Sequence, residues 1–133
     1  PKTKESTFRS IYLGIVRGRP LPDSLSEFDI ANPSIVVAQR EETTVPAQAL
    51  YLMNSPFVLE QARATATKFL AKKELNEAER IDLAYRTFFS RPATSAEVDR
   101  AKKYLEATTK ELGGKPAEAW TTFTQVLLAS AEF

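Results

Sequence analysis

Residues 43–62 read TTVPAQALYLMNSPFVLEQA, and this stretch decides the fold. Pro46 and Pro56 each stand where a helix begins. The first turn of a helix leaves backbone N–H groups without intrahelical partners, so a residue lacking that donor loses nothing there. Asn54 and Ser55 break the pattern between the two prolines, with Ser55 placed as N-cap of the second helix. The reading is a short helix from near Pro46 to near Met53 and Asn54, a break, and an amphipathic helix of about four turns. Phe57, Leu59, Ala62, Ala66, Phe69 and Leu70 recur along that second helix, with Arg63, Lys68 and Lys72 largely on the other side.

Downstream, Asn76 with Glu79 and Thr94 with Glu97 each place a capping oxygen three residues before a carboxylate, which marks two more helix starts. The first of these helices is expected to bury Ile81, Ala84, Tyr85 and Phe88 and to stop before Arg91 and Pro92. The second is expected to bury Val98, Ala101, Leu105, Thr108 and Leu112 and to end at Gly113 and Gly114. Pro116 opens a last helix with Trp120, Phe123, Val126, Leu127 and Ala131 as its apolar stripe. Short connections favour antiparallel neighbours. Asp82 with Arg86, Asp99 with Lys103, and Glu106 with Lys110 sit at the i,i+4 distance that puts partners on one helical face, a pattern that serves solubility.

Upstream the character changes. Residues 1–43 hold Pro20, Pro22 and Pro33 with Gly14 and Gly18 and no sustained helical period. Residues 10–16, SIYLGIV, and 35–37, IVV, are candidate short strands, and residues 24–28, SLSEF, a single helical turn. This segment is expected to wrap the helices and bury Phe8, Tyr12, Leu25 and Phe28. The fold class is mainly α. It consists of a single domain in which a bundle of about four to five helices at 44–133 follows an irregular, partly extended segment at 1–43.

With 133 residues, 43% of them hydrophobic, the chain suffices for one core burying roughly two thirds of the unfolded surface. Eighteen basic residues against 17 acidic ones leave a net charge of +1, too small a field to gather nucleic acid or an anionic membrane, and no apolar run is long enough to span a bilayer. No signal peptide opens the chain, and a start at Pro1 is read as that of a piece of a longer polypeptide. The sequence has neither His nor Cys, which removes thiol nucleophiles, imidazole bases, haem attachment and the usual transition-metal ligands. No cofactor is therefore expected in this chain.

Chemistry would have to come from carboxylates. Asp29, Glu41, Glu42 and Glu60 are the candidates for an acid/base pair, but Arg40 adjoins the first two glutamates and Arg63 lies one turn beyond Glu60, so ion pairing explains them as well. Arg9, Arg17, Arg19 and Arg40 suit bidentate capture of a carboxylate or phosphate, or equally the clamping of irregular loops. Gln48 and Asn54 stand among apolar neighbours, where an amide satisfies loop backbone. Of the aromatic residues, Tyr51 and Tyr104 are the candidates for exposure.

Residues 43–62 resemble the signature of the planctomycete-specific C-terminal domain of unknown function. Other pieces agree in the same order: Arg9, Ser10 and Tyr12 in RSIYL, Phe28 and Asp29, Arg40 leading to TTVP, residues 90–97 reading SRPATSAE, and the closing LLASAEF of residues 127–133. The resemblance runs from about Arg9 to Phe133 and covers the later part of the family domain. Ala129 departs from it, since the family often has Asn there. What the resemblance implies is a bacterial, exported protein, periplasmic or at the cell surface, in which planctomycete-type cytochrome c and uncharacterised domains lie upstream and any haem sits outside this chain. It carries no established activity. The expected function is a non-catalytic interaction or scaffolding module docking on upstream domains of its own polypeptide through Arg9, Tyr12, Arg17, Asp29, Arg40 and Gln48. The alternatives are a carbohydrate- or small-ligand-binding module and one wall of a hydrolase or redox site completed upstream.

Overall fold

The computed structural model describes residues 12, 14–21, 23–26, 28, 30, 34–36, 46–130, 132 and 133, and every α-helix or strand assignment among them is helical. The elements are α1 (Asp23–Ser26), α2 (Pro46–Asn54), α3 (Pro56–Ala71), α4 (Glu77–Phe89), α5 (Ser95–Glu111) and α6 (Pro116–Leu128). The chain forms two compact units, Pro1–Tyr51 and Leu52–Phe133.

In the first unit α1 is one turn, where the sequence places it. The strand candidates do not form among their described residues. Tyr12 lies in a 3₁₀ turn, Gly14, Ile15 and Val16 are irregular, and Ile35 and Val36 are exposed. An isolated short strand has no partner for its backbone groups, and here a turn replaces it: Arg19 N–H donates to Val16 O at 3.2 Å, and Gly18, at φ 76°, donates to Ser34 Oγ at 3.0 Å. Burial of Tyr12 and Phe28 is not found either. Tyr12 is 74% exposed and Phe28 lies at the surface, its ring meeting that of Tyr51 edge-on at 5.9 Å. Leu25 is half-buried, and Phe8 lies outside the described residues.

The second unit is built on α3 and α6, which share the most extensive helix contact among the described residues. They run antiparallel. Gln125, late in α6, donates to Met53 O at 2.7 Å just before α3 begins, whereas Phe69, late in α3, meets Trp120, early in α6, at 6.3 Å between ring centroids. Ala62, Ala66 and Ala119 are exposed to 1% or less, so small side chains let the two helices approach closely. Around them close Ile81 and Ala84 of α4, Ala101 and Leu105 of α5, and Phe123 and Leu127 of α6, with Tyr85, Phe88, Phe89 and Val98 packed at the rim.

The helix boundaries follow local chemistry. Both capping boxes form: Asn76 Oδ1 accepts Glu79 N–H at 3.0 Å while Glu79 accepts Asn76 N–H at 2.8 Å, and Thr94 and Glu97 repeat the arrangement. Ser55 is the N-cap of α3, although its side chain makes no capping bond and Pro56 alone fixes the start. Helix α4 ends on Ser90 in the left-handed region at φ 57°, and α5 runs out into Gly113 and Gly114 at φ 68° and 81°. The Asp82–Arg86 and Glu106–Lys110 pairs close at 2.6 and 2.9 Å.

Two apolar stripes hold at most of their positions, Ala62, Ala66 and Phe69 on α3 and Trp120, Phe123 and Leu127 on α6, and differ from the sequence reading at single positions. On α3 the buried side chains are Val58, Ala62, Ala66 and Phe69, while Phe57 and Leu59 are exposed. Each residue step turns the helix by about 100°, so the row through 58, 62, 66 and 69 leaves its immediate neighbours facing outward. On α6 Val126 is 54% exposed and Thr124 takes the core position, its hydroxyl donating to Trp120 O at 2.8 Å and so entering the core satisfied. Ala131 lies outside the described residues.

Thermal and urea melts test this register. Ile81→Ala, at a fully buried site, is expected to cost about 2–5 kcal/mol. Val58→Ala is expected to destabilise measurably, whereas Phe57→Ala stays within about 0.5 kcal/mol of the parent. The reverse order for the last two would restore the stripe drawn from sequence.

Candidate functional site

The densest polar geometry among the described residues lies where α4 hands over to α5. The left-handed Ser90 turns the chain, and Pro92 prevents the helix from resuming, which leaves Arg91 projecting from a fixed corner. Its guanidinium is held on two edges. Nη1 and Nη2 donate to the Glu97 carboxylate at 3.0 and 2.7 Å, and Nε and Nη2 donate to the Glu132 carboxylate at 2.5 and 2.9 Å. Both pairs are bidentate forks, the geometry that guanidinium planarity favours. The guanidinium carbon also lies 5.4 Å from the ring centre of Tyr85 and 5.8 Å from that of Phe89.

The electrostatics follow from these contacts. The Arg91 forks, with the Thr94 backbone and hydroxyl donors, hold the Glu97 carboxyl at about 2, against an ordinary 4.5. Arg91 in turn is held protonated even more firmly than usual by Glu97 and then Glu132, and Glu132 is lowered by Arg91. Burial pushes the Tyr85 phenol up, aided by the Glu97 charge. Asp82 is lowered by the hydrogen bond from Arg86 and then by the N–H of Ala93, which it accepts at 2.9 Å, fastening the loop between the helices. A general base working near neutrality needs a carboxyl raised by its surroundings, and these are lowered. The chemistry of the corner is adhesion: it joins α4, α5 and the segment after α6 by charge.

A second arginine does similar work at the other end of α4. Arg80 Nη2 donates to Leu75 O at 2.8 Å and to Lys72 O at 3.1 Å, which ties the loop between α3 and α4 to the start of α4. Its buried Nε has no hydrogen-bond partner. Beside it a shallow, open depression of about 520 Å³ is lined by Leu75, Ala78, Glu79, Asp82, Leu83 and Arg86. Among the described residues no group of three acidic side chains gathers as a metal would require.

The docking residues singled out from sequence, Arg9, Tyr12, Arg17, Asp29, Arg40 and Gln48, belong to the first unit. Tyr12 and Arg17 are exposed, in or beside turns, and Gln48 is half-buried on α2. Arg9, Asp29 and Arg40 lie outside the described residues, as do Glu41 and Glu42. Glu60 is exposed on α3, and Tyr104 is 37% exposed while touching Phe123 at 6.2 Å between centroids. No described contact brings Tyr12, Arg17 and Gln48 to one another. Sequence reasoning missed Arg91 and Glu132 as partners. Glu97 was legible as a capping residue, but its second bond, to an arginine six residues back, has no periodic signature.

The fold and its corner define a small all-helical unit stitched by arginine–carboxylate forks. The chain belongs to the family described as PSD1, Protein of unknown function (DUF1553), whose sequence profile matches residues 1–105. Neither the curated proteins nor the solved structures contain a match to it.

Because the Glu97 carboxyl is lower folded than unfolded, it contributes stability that is fully present above its ordinary 4.5 and is lost as pH falls toward about 2. Glu132 and Asp82 act in the same direction. Melting temperature measured across that window should fall with acidification in the parent chain, and Glu97→Gln should be less stable than the parent above 4.5 and converge on it near 2. A constant difference across the window would contradict the assignment.

Proposed function

We propose that the chain is a non-catalytic interaction and scaffolding module of a larger exported planctomycete protein associated with cytochrome c domains, and that it docks on other domains of that polypeptide. The planctomycete, export and cytochrome c elements of this reading rest on the sequence resemblance. The observation that carries the docking element is the set of apolar side chains left in solvent near the bond between α2 and α6. Met53 is 61% exposed, Phe57 43% and Val126 54%, and the Gln125–Met53 hydrogen bond joins the segments that carry them. Large apolar side chains held in solvent along neighbouring segments are surface that a partner could cover. Tyr12 and Arg17 are exposed in the first unit and suit the same role there, alongside Arg9, Asp29, Arg40 and Gln48.

Capture of the separately expressed upstream region by this chain tests the reading. Met53→Ser with Phe57→Ser is expected to weaken saturable binding by about ten-fold or more, since each change removes an exposed apolar contact without touching the core. Arg40→Ala and Asp29→Ala are expected to weaken it as well. A folded chain that captures nothing, or that binds equally well after all these changes, would overturn the proposal.

A further inference from the structure

Beyond α6 the backbone turns, with Phe133 N–H donating to Ser130 O at 3.1 Å and Glu132 N–H donating to Ser130 Oγ at 3.1 Å. That turn presents two neighbouring side chains to the α4–α5 corner. The Glu132 carboxylate takes the Nε edge of Arg91, and the Phe133 ring meets Phe88 edge-on at 5.8 Å. The two carboxylates on Arg91 are not equivalent. Glu97 belongs to a helix, has a side chain 15% exposed and is fixed by Thr94, whereas Glu132 stands outside any helix with its side chain 46% exposed. Phe133 is 65% exposed and packs on its neighbour from one side. When the corner loosens, the Glu132 and Phe133 contacts are the ones free to part while the Glu97 fork stays, because local opening begins where burial is least.

We propose that the Nε edge of Arg91 together with the Phe88 ring is an acceptor site for a carboxylate followed by an aromatic group, filled in this structure by the tethered Glu132 and Phe133. One edge of the guanidinium is committed to Glu97 and so pre-aims the other, and the nearby Tyr85 and Phe89 rings hold the guanidinium plane in place. The tether gives the occupant an effective concentration that a free competitor has to match, so the site exchanges only when residues 130–133 let go. The ligand class is an acidic-aromatic peptide segment.

The test uses the full chain, isotope-labelled, as Glu132→Gln with Phe133→Ala, and as Glu132→Gln alone should the double variant melt early. The probe is an acetylated, amidated peptide of sequence LASAEF, with LASAQF as control. The Arg91 Nε–H resonance should move on passing from the parent to the variant and return as LASAEF is added. Half-saturation of the parent should need about ten-fold more peptide, and LASAQF should bind about ten-fold more weakly, as expected for one charge-assisted fork. Three results would overturn the proposal: an Arg91 resonance unchanged by the substitutions, equal binding of the two peptides, or no binding to the folded variant.

Discussion

The second unit depends on the packing of Trp120 against the end of α3. Its indole is 3% exposed and meets Phe69 at 6.3 Å and Phe123 at 5.6 Å, and Phe69 in turn meets Phe88 of α4. Four rings from three helices are thereby linked edge-on, the geometry aromatic quadrupoles prefer. The alanines at 62, 66 and 119 are the condition for this, because larger side chains there would hold α3 and α6 apart and leave the indole in water. Helices α4 and α5 then add Ile81, Ala84, Ala101 and Leu105 to a core whose direction is already set.

What the core does not fix, charge does. Arg91 and Arg80 act at successive corners of the same unit, one on carboxylates and one on carbonyls of the loop between α3 and α4. Guanidinium suits both, since its fixed fork satisfies two acceptors at once for little loss of freedom. The Glu97 fork and the Arg80 bonds belong with the architecture, whereas Met53, Phe57 and Val126 are among the apolar side chains that face outward. A chain with a net charge of +1 and interleaved acidic and basic residues gives no long-range field, so recognition would rest on such short-range contacts.

Much of the helical unit was legible in the residues. Pro46, Pro56, the two capping boxes and the glycines after α5 act through local geometry, and local geometry can be read without knowing the fold. The facing of the first turn of α3 was not. Phe57 and Leu59 are as apolar as Val58, and the choice of which row faces inward is made by α6, which lies far along the chain. The same holds on α6, where Thr124 stands on the row of Trp120 and Leu127 and its hydroxyl, bonded back to its own helix, lets it be buried there without an unpaired group. Arg91 and Glu132 sit 41 residues apart, and no short-range pattern announces such a pair. In the irregular segment, β-branched runs suggested strands, but propensity without a pairing edge does not make a sheet.

The chain has one tryptophan, so its fluorescence reports on the central contact without any substitution. Emission and acrylamide quenching of Trp120 should be read alongside far-ultraviolet circular dichroism through urea unfolding. The account predicts blue-shifted, poorly quenched emission in the folded chain and a red shift that coincides with loss of helix in one transition. Red-shifted, freely quenched emission from a chain still fully helical would contradict it.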